Sequence, residues 1–321
     1  MDRRDFLVAG AALGALPLHR HPRGGEDPPL SAEDGRPPHL GRVGPRLRGG
    51  DDTRTAPGGA DSSHAPMRYK HSVSRWILGN RSLDEVARVA KQLGYASVDL
   101  LEPNEWAAVQ AQGLTCAMAY APAGDPKTRL TVGWNREANH GWLLPGYQRG
   151  LELAAAAGLP NVICFPGNRG GISDAQGMVA CAAGLKQLMP VAERLGVNVC
   201  MELLNSKVDH PDYQCDHTAW GVALVDRVQS PRFKLLYDIY HMQIMEGDVI
   251  RTIRQHHQHI AHFHVGGVPG RHEPDTSQEL YYPAVVRAIA DVGFTGYVAQ
   301  EFIPTGDPIK SLAEAIRICS V

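Results

Sequence analysis

The sequence predicts an α/β fold, and more specifically a single (β/α)8 TIM barrel. Short apolar segments alternate with helical patterns, which is typical of parallel α/β folds. Eight such units fit into roughly 250 residues, the usual size of a TIM barrel. Several helical patterns end in a glycine just before the next apolar segment, as a helix-to-strand turn prefers. A doubly wound open sheet is the alternative, but no glycine-rich phosphate loop follows the first predicted strand.

Eight segments have the length and apolar character of buried strands, and we number them in chain order. They are YKHSVSRWIL, YASVDLLE, LTCAMAYA, NVICFPGN, VNVCMELLN, FKLLYDIYH, IAHFHVGGV and GYVAQEFIP. Helical periodicity lies between them. It is clearest in SLDEVARVAKQLG, YQRGLELAAAAG, AQGMVACAAGLKQLMPVAERLG, DVIRTIRQHHQH and YYPAVVRAIADVG.

The composition is that of an ordinary soluble globular protein. Of 321 residues, 43% are hydrophobic, and the formal net charge at pH 7 is −2. Because there is no basic excess, we expect no nucleic acid partner. The six cysteines form no CxxC pair and several lie inside apolar segments, so we expect buried free thiols and not disulfides or a zinc site.

The amino terminus predicts export. Residues 1–18 place Arg3 and Arg4 before a short apolar stretch, which resembles a signal read by the twin-arginine export machinery. We expect a protein that is periplasmic or anchored at the membrane by this signal, with cleavage left open. Residues 19–66 are rich in proline, glycine and charge and predict a disordered linker. The barrel is then expected over residues 67–321.

Four residues that can bind a metal end consecutive predicted strands. Glu202, Asp238, His264 and Glu301 end strands five, six, seven and eight. Each alone could be a helix cap, a surface charge or a satisfied core histidine. Together they should converge on the barrel axis, because the carboxyl ends of the strands meet there. Three carboxylates and one imidazole suit a hard divalent cation, with Mn²⁺ expected first, Mg²⁺ second and Co²⁺ as a further alternative.

Several local sequences carry a family resemblance. The segments MELLN, YDIYHMQIMEGD, HFHVGGVPGRHEP, ELYY and AQEF resemble the hydroxypyruvate isomerase branch of the xylose isomerase-like TIM barrels. That group also contains ketose 3-epimerases. The resemblance covers residues 67–321 and is strongest from Val197 onward. GVPGRHEP followed by ELYY is its most specific part.

The resemblance implies roles by position. Glu202 and Glu301 match the glutamates that bind the metal and transfer protons, and Asp238 matches the metal-binding aspartate. His241 matches a residue that holds a substrate oxygen beside the metal. Arg271 matches an arginine that reaches a substrate hydroxyl or carboxylate. Proton transfer between adjacent carbons of a hydroxy-carbonyl passes through an enediolate, which needs a nearby positive charge and carboxylates on both faces.

Two positions depart from the family in opposite directions. His264 stands where hydroxypyruvate isomerases have glutamine and epimerases have histidine. Val208 lies near the place where epimerases carry a further glutamate. We therefore expect a metal-dependent isomerase of a small hydroxy-carbonyl acid or sugar, first of all hydroxypyruvate and tartronate semialdehyde. A ketose 3-epimerase and a non-catalytic exported barrel that binds a sugar or metal are the alternatives. A related nuclease would need more strand-end histidines and a basic groove.

Two further features remain open in the sequence. His262 alternates with His264, so both can face the barrel lumen, and we expect His262 to support the metal ligands from behind. The loop within residues 121–147 contains Trp134, Arg136 and Trp142 and is either a lid or a surface excursion that packs its own tryptophans. Assembly into a homo-oligomer is compatible with the sequence.

Overall fold

The computed structural model describes residues 69–320. The predicted signal segment, residues 1–18, and the predicted linker, residues 19–66, lie outside the described residues. The predicted barrel is described almost from its expected start at residue 67. Among the described residues, no helix combines the length and the apolar character needed to cross a membrane.

The predicted α/β barrel fold is confirmed, with a parallel sheet of seven strands. Neighbouring strands are hydrogen-bonded in the order β2-β1-β7-β6-β5-β4-β3. Every pair is parallel, as βα repeats require. The strands are β1 (Lys70–Ser74), β2 (Ser97–Asp99), β3 (Asn161–Cys164), β4 (Asn198–Glu202), β5 (Phe233–Asp238), β6 (Ile260–Val265) and β7 (Tyr297–Gln300).

The third of the eight predicted strands is not a regular strand. It lies between β2 and β3 and pairs with them only through isolated bridges, including Ala119 to Leu101 and Ala119 to Val162. Side chains replace the ladder at Ala117, whose N–H donates to Ser97 Oγ and whose carbonyl accepts from Asn161 Nδ2. The segment still closes the ring, because it hydrogen-bonds to both edge strands.

Helices follow the strands and cover the outside of the sheet. They are α1 (Leu83–Gln92), α2 (Trp106–Ala111), α3 (Glu137–Ala156), α4 (Asp174–Leu195), α5 (Thr218–Val228), α6 (Ile239–Met245), α7 (Val249–His256), α8 (Tyr282–Asp291) and α9 (Pro308–Ile318). Helix α4 shows why they form where they do: Ser173 and Gln176 make a capping box at its start, and Gly196 ends it at φ 72°. The residues after β1, Arg75–Leu78, form a 3₁₀ turn instead of continuing the strand.

The core lies between the sheet and the helices and inside the barrel. All six cysteines are free and buried, as the sequence predicts. Burial raises the pKa of the Cys164 and Cys215 thiols well above the ordinary value. These thiols therefore act as small apolar groups and not as nucleophiles.

The buried imidazole of His71 makes the stability of the barrel depend on pH. His71 lies on β1 with Nε2 3.1 Å from Ser320 Oγ, and burial lowers its pKa from 6.5 to about 4. The unfolded chain therefore binds a proton below about pH 6.5 that the folded chain refuses until about pH 4. The stabilisation from the neutral ring is complete above pH 6.5 and is lost as the pH falls from there to about 4.

We expect His71→Gln to flatten this dependence, because glutamine can keep the contact with Ser320 and does not titrate. Urea unfolding of both proteins between pH 8 and 4.5 should show a slope smaller by up to about one proton in the variant, below pH 6.5 only. Equal slopes for the two proteins would show that His71 does not contribute to acid sensitivity.

Candidate metal and active site

Strand register brings the four predicted ligands to the same end of the barrel. Glu202 is the last residue of β4 and Asp238 the last residue of β5. In the ladder Asp238 pairs with His264, and His264 pairs with Ala299, two residues before Glu301. The ladder continues at Glu301, whose N–H donates to Val265. The stagger between parallel strands thus places these side chains around one point.

The four side chains form a compact, buried cluster, which we call the carboxylate cluster. One ligand atom from each lies within 4.8 Å of the ligand atoms of the others. His264 Nδ1 is 2.6 Å from Glu301 Oε2, 3.4 Å from Glu202 Oε1 and 4.0 Å from Asp238 Oδ2. None of the four side chains is more than 7% exposed. The shortest of these separations is a hydrogen-bonding distance, but all four ligand atoms lie close enough together to surround one ion after small side-chain shifts.

Charge and orientation both fit a divalent cation. Three carboxylates face the single guanidinium of Arg271, so two negative charges remain when His264 is neutral. One divalent cation would neutralise them. Although His264 Nδ1 lies close to carboxylate oxygens, neither ring nitrogen has an acceptor in hydrogen-bonding alignment. Buried, unaligned donor groups of this kind are expected where a metal is to be bound.

The electrostatics of the cluster are strongly unequal. Burial raises the pKa of Asp238 to about 7 and also raises the pKa of Glu202. Burial acts in the same direction on Glu301, but Arg271 and His264 outweigh it and lower the pKa of Glu301 well below its ordinary value. Burial opposes the charged form of His264, yet Glu301 and Glu202 raise its pKa well above the ordinary value. Positive charge is therefore strongly favoured at this point.

Arg271 is placed against the carboxylates themselves. Its Nη2 lies 2.6 Å from Glu301 Oε2 and 3.2 Å from Asp238 Oδ2, and its guanidinium lies 5.1 Å from the ring of Tyr240. The residue adopts a left-handed conformation, φ 55°, which costs a non-glycine residue on the order of 1 kcal/mol. The loop after β6 accepts this cost because it directs the guanidinium into the cluster.

His241 lies in the first turn of α6, beside the cluster. The Asp238 carboxylate caps this helix by accepting from the N–H groups of Tyr240 and His241. His241 Nδ1 accepts from the backbone N–H of Asn205 at 3.2 Å, and Asn205 Nδ2 lies 2.7 Å away. The neutral ring therefore carries its hydrogen on Nε2, which lies 3.6 Å from Asp238 Oδ2 and has no aligned partner. Burial lowers the pKa of His241 well below 6.5 and keeps the ring neutral.

His262 lies behind the cluster, but its direct partner is a residue that sequence reasoning missed. His262 Nε2 is 2.7 Å from Asp99 Oδ2, and the His262 and His264 rings meet edge to face at 5.2 Å. Asp99 ends β2 in the same way that Asp238 ends β5. The strand-end rule could have found it in YASVDLLE.

Two aromatic residues complete the description of the predicted site. Trp76, also missed from the sequence, donates from Nε1 to Glu301 Oε1 at 3.0 Å. Its position in a 3₁₀ turn after β1 gave no recognisable pattern. Trp134 of the loop within residues 121–147 is fully buried against His140 and Tyr147, so the core holds this part of the loop. Arg136 donates to the backbone carbonyls of Asn135 and Gly170, and Trp142 is 38% exposed.

Comparisons with known proteins agree with this geometry. A family model described as "Xylose isomerase-like TIM barrel" matches residues 87–319. The "2-oxo-tetronate isomerase" of Cupriavidus necator is 30% identical over 247 residues, covering 74% of this chain and 93% of the relative. The "Putative hydroxypyruvate isomerase" of Homo sapiens is 26% identical over 267 residues, covering 78% and 94%.

Solved structures share the fold. The chain resembles the crystal structure titled "AP endonuclease, family 2 from Brucella melitensis" with a TM-score of 0.69 and 24% identity. The match covers 77% of this chain and 98% of that one. At this identity the likeness shows the barrel architecture alone.

Asp238 caps α6 and is also a predicted metal ligand, and substitution should separate the observed role from the predicted one. Asp238→Ala and Asp238→Asn both remove a charged ligand, so we expect Mn²⁺ affinity to fall by more than about 10-fold in each. Asparagine can still accept from the N–H groups of Tyr240 and His241, whereas alanine cannot. Asp238→Ala should therefore be less stable than Asp238→Asn by about 1 kcal/mol.

Calorimetric Mn²⁺ titration and urea unfolding of the metal-free proteins measure the two effects. Unchanged Mn²⁺ titrations in both variants would show that Asp238 is structural.

Proposed function

Since the chain belongs to the xylose isomerase-like TIM barrel family, we propose that it is a metal-dependent isomerase of a small hydroxy-carbonyl acid. The observation that carries this proposal is the carboxylate cluster, in which two glutamates on well-separated strands share a site with Asp238 and His264. Relatives named isomerases of hydroxypyruvate and of 2-oxo-tetronate match over most of their length. We expect interconversion of a 2-oxo acid and the corresponding hydroxy-aldehyde, with hydroxypyruvate and tartronate semialdehyde first.

Glu202, Asp238, His264 and Glu301 would hold the cation, with Mn²⁺ or Mg²⁺ as the first candidates and Co²⁺ as a further one. When bound, the cation supplies the positive charge that an enediolate needs on its two oxygens. The chain's own residues then move the proton. Glu202 and Glu301 lie on different strands, so one can take a proton from one carbon as a carboxylate while the other, starting as the carboxylic acid, gives its own proton to the next carbon. The hydroxyl proton passes between the two substrate oxygens, and proton exchange with solvent restores both glutamates.

The surroundings of these residues support distinct duties. Glu301 is fixed through both oxygens, because Trp76 Nε1 donates to Oε1 and Arg271 Nη2 to Oε2. A carboxylate held in this way keeps its orientation during proton transfer. His241 presents Nε2–H toward the cluster and can donate a hydrogen bond to a substrate oxygen there. Arg271 adds a fixed positive charge close to the developing oxyanion.

A carboxylate-bearing substrate has a candidate partner in Arg129. Its guanidinium lies 3.7 Å from the ring of Tyr120, and Nη2 is 2.5 Å from Glu102. The side chain is only 14% exposed, and Nη1 is buried with no hydrogen-bond partner. Burial raises the pKa of Tyr120, and the charges of Glu202 and Glu301 act in the same direction. Arg129 therefore offers a buried donor for the carboxylate of a substrate.

The ketose 3-epimerase alternative has one residue in its favour and one against it. His264 agrees with an epimerase, but position 208 is a valine that is 64% exposed. The neighbouring Asp209 is already engaged, because Oδ2 accepts from Asn205 and Tyr240. An isomerase of a hydroxy-carbonyl acid needs no further carboxylate at this place. It does need a cationic partner for the substrate carboxylate, which Arg129 offers, so we favour the acid isomerase.

Export completes the proposal. Arg3 and Arg4 precede a short apolar stretch, and on this basis we propose that the twin-arginine machinery exports the folded protein. The activity would then lie in the periplasm or at the membrane surface.

Both glutamates should be essential for turnover. We expect Glu202→Gln and Glu301→Gln each to lower kcat by about 100-fold or more, because each removes a proton-transferring group. The measurement is deuterium exchange at the α-carbon of hydroxypyruvate. Calorimetry is used to verify that each variant is saturated with Mn²⁺. Glu152→Gln, on the surface of α3 with a side chain 51% exposed, is the matched control. Near-normal exchange in either site variant would refute its role, and no exchange by the wild type with any small hydroxy-carbonyl would refute the isomerase.

Arg129 should distinguish acids from uncharged substrates. For Arg129→Met we expect kcat/KM for hydroxypyruvate to fall about 10- to 100-fold, the loss of one charge-assisted hydrogen bond. Exchange with dihydroxyacetone, which lacks the carboxylate, should be unchanged. Lys127→Met removes a charge from the same loop at an exposed position and serves as control. An equal loss with both substrates would show that Arg129 only anchors the loop through Glu102.

A further inference from the structure

A second group of ionisable side chains lies directly beneath the carboxylate cluster. Asp99, His262 and His264 are each 0% exposed, and one atom from each lies within 4.8 Å of the others. His264 belongs to both groups. Whatever fixes its ring therefore acts on the proposed metal site as well.

Asp99 is held rigidly from the side opposite the histidines. Its Oδ1 accepts hydrogen bonds from Ser72 Oγ at 2.6 Å and from Ser97 Oγ at 3.0 Å, on neighbouring strands β1 and β2. Its Oδ2 faces His262 Nε2 at 2.7 Å and His264 Nε2 at 3.9 Å. No donor is aligned with Oδ2. One oxygen is thus fixed by the sheet, and the other is available to the two imidazoles.

The two nitrogens of His264 face different environments. Nδ1 faces the carboxylates of Glu301 and Glu202, and Nε2 faces Asp99. A neutral imidazole carries one hydrogen, and the nitrogen that binds a metal must be free of it. If Nδ1 is the ligand, the hydrogen has to lie on Nε2, which faces the negative charge of Asp99 Oδ2 at 3.9 Å.

We propose that Asp99 is a positioning residue that keeps the hydrogen of His264 on Nε2 and so presents Nδ1 to the cation. The inference rests on the metal site of the proposed function but requires no particular substrate. Outer carboxylates that hold a metal-binding imidazole typically change metal affinity by 10- to 100-fold. His262 Nε2 lies 2.7 Å from the same Asp99 oxygen, so His262 limits the movement of the carboxylate that His264 faces.

A second ion held by Asp99, His262 and His264 is the competing arrangement, because these three side chains also offer ligand atoms within 4.8 Å of one another. The two arrangements predict different stoichiometries, of one and two ions per chain.

The first test leaves Asp99 unchanged. Long-range proton–nitrogen NMR correlation of the uniformly ¹⁵N-labelled, Mg²⁺-loaded protein reports which ring nitrogen of His264 carries the hydrogen, with His264→Gln identifying the signals. We expect hydrogen on Nε2. A hydrogen on Nδ1 of His264 in the Mg²⁺-loaded protein would overturn the proposal.

The second test is a Mn²⁺ titration by calorimetry. We expect Asp99→Asn to weaken binding about 10- to 100-fold. Its amide can donate to Nε2, so part of the His264 population should move its hydrogen to Nδ1 in the NMR spectrum. Asp216→Asn is the matched control: Asp216 is also buried and hydrogen-bonded, by Ser206 and Arg169, but has no contact with the cluster. It should leave Mn²⁺ affinity unchanged.

Ser72→Ala keeps the proposal testable should Asp99→Asn fail to fold. It removes the hydrogen bond from Ser72 Oγ to Asp99 Oδ1 and should weaken Mn²⁺ binding by a smaller factor. Unchanged affinity in a folded Asp99→Asn protein, or two Mn²⁺ ions per wild-type chain with one lost in that variant, would overturn the proposal. None of these measurements uses substrate, so their outcome tests the role of Asp99 even if no isomerase activity is found.

Discussion

The carboxylates of Glu202, Asp238 and Glu301 are buried within a few ångströms of one another and repel. Several neighbouring groups at this end of the barrel compensate that repulsion. Isolated charges in a protein interior are costly and persist only when paired or bound to a metal. Here the guanidinium of Arg271 compensates one of the three negative charges. Arg271 adopts a left-handed backbone conformation in the position where it makes this contact. The remaining two charges equal those of one divalent cation. This charge balance is the reason for our proposal that the cluster binds a cation.

These supports form a layer behind the ligands and give each imidazole one orientation. Asn205 occupies Nδ1 of His241, so the hydrogen on Nε2 is turned toward the cluster. Asp99, held by two serines, faces the nitrogen of His264 that points away from the cluster. In both cases a buried polar group on a neighbouring strand or loop selects the tautomer. Rigid elements can fix such geometry more accurately than mobile loops, which suits proton transfer between closely placed carbons.

We distinguish the carboxylate cluster from the loops above it, because the proposed proton transfer needs the first and the choice of substrate depends on the second. The carboxylate cluster lies at the carboxyl ends of β4 to β7, and in the proposed function it carries out the proton transfer common to hydroxy-carbonyl substrates. Selectivity has to come from the loops above it. The loop after the irregular third segment contributes Arg129, whose buried and unpartnered Nη1 is suited to an anion. The loop after β4 carries Val208 and an engaged Asp209, which offers little to a neutral sugar.

The sequence by itself determined the βα repeat, the order of the elements and the strand-end positions of Glu202, Asp238, His264 and Glu301. The alternation of side chains along a strand and the glycines that end helices are local properties, so they can be recognised in a single sequence. Only the tertiary structure decided that the third segment pairs irregularly, because the side chains of Ser97 and Asn161 take the hydrogen bonds of Ala117.

Tertiary structure also decided which groups meet. Asp99 contacts His262, and both Trp76 and Arg271 donate hydrogen bonds to Glu301, although these partners are far apart in the sequence. Strand alternation says which face a side chain occupies but not which distant side chain stands opposite it. That pairing depends on strand register and on how the barrel closes, and both are set by packing of the whole chain.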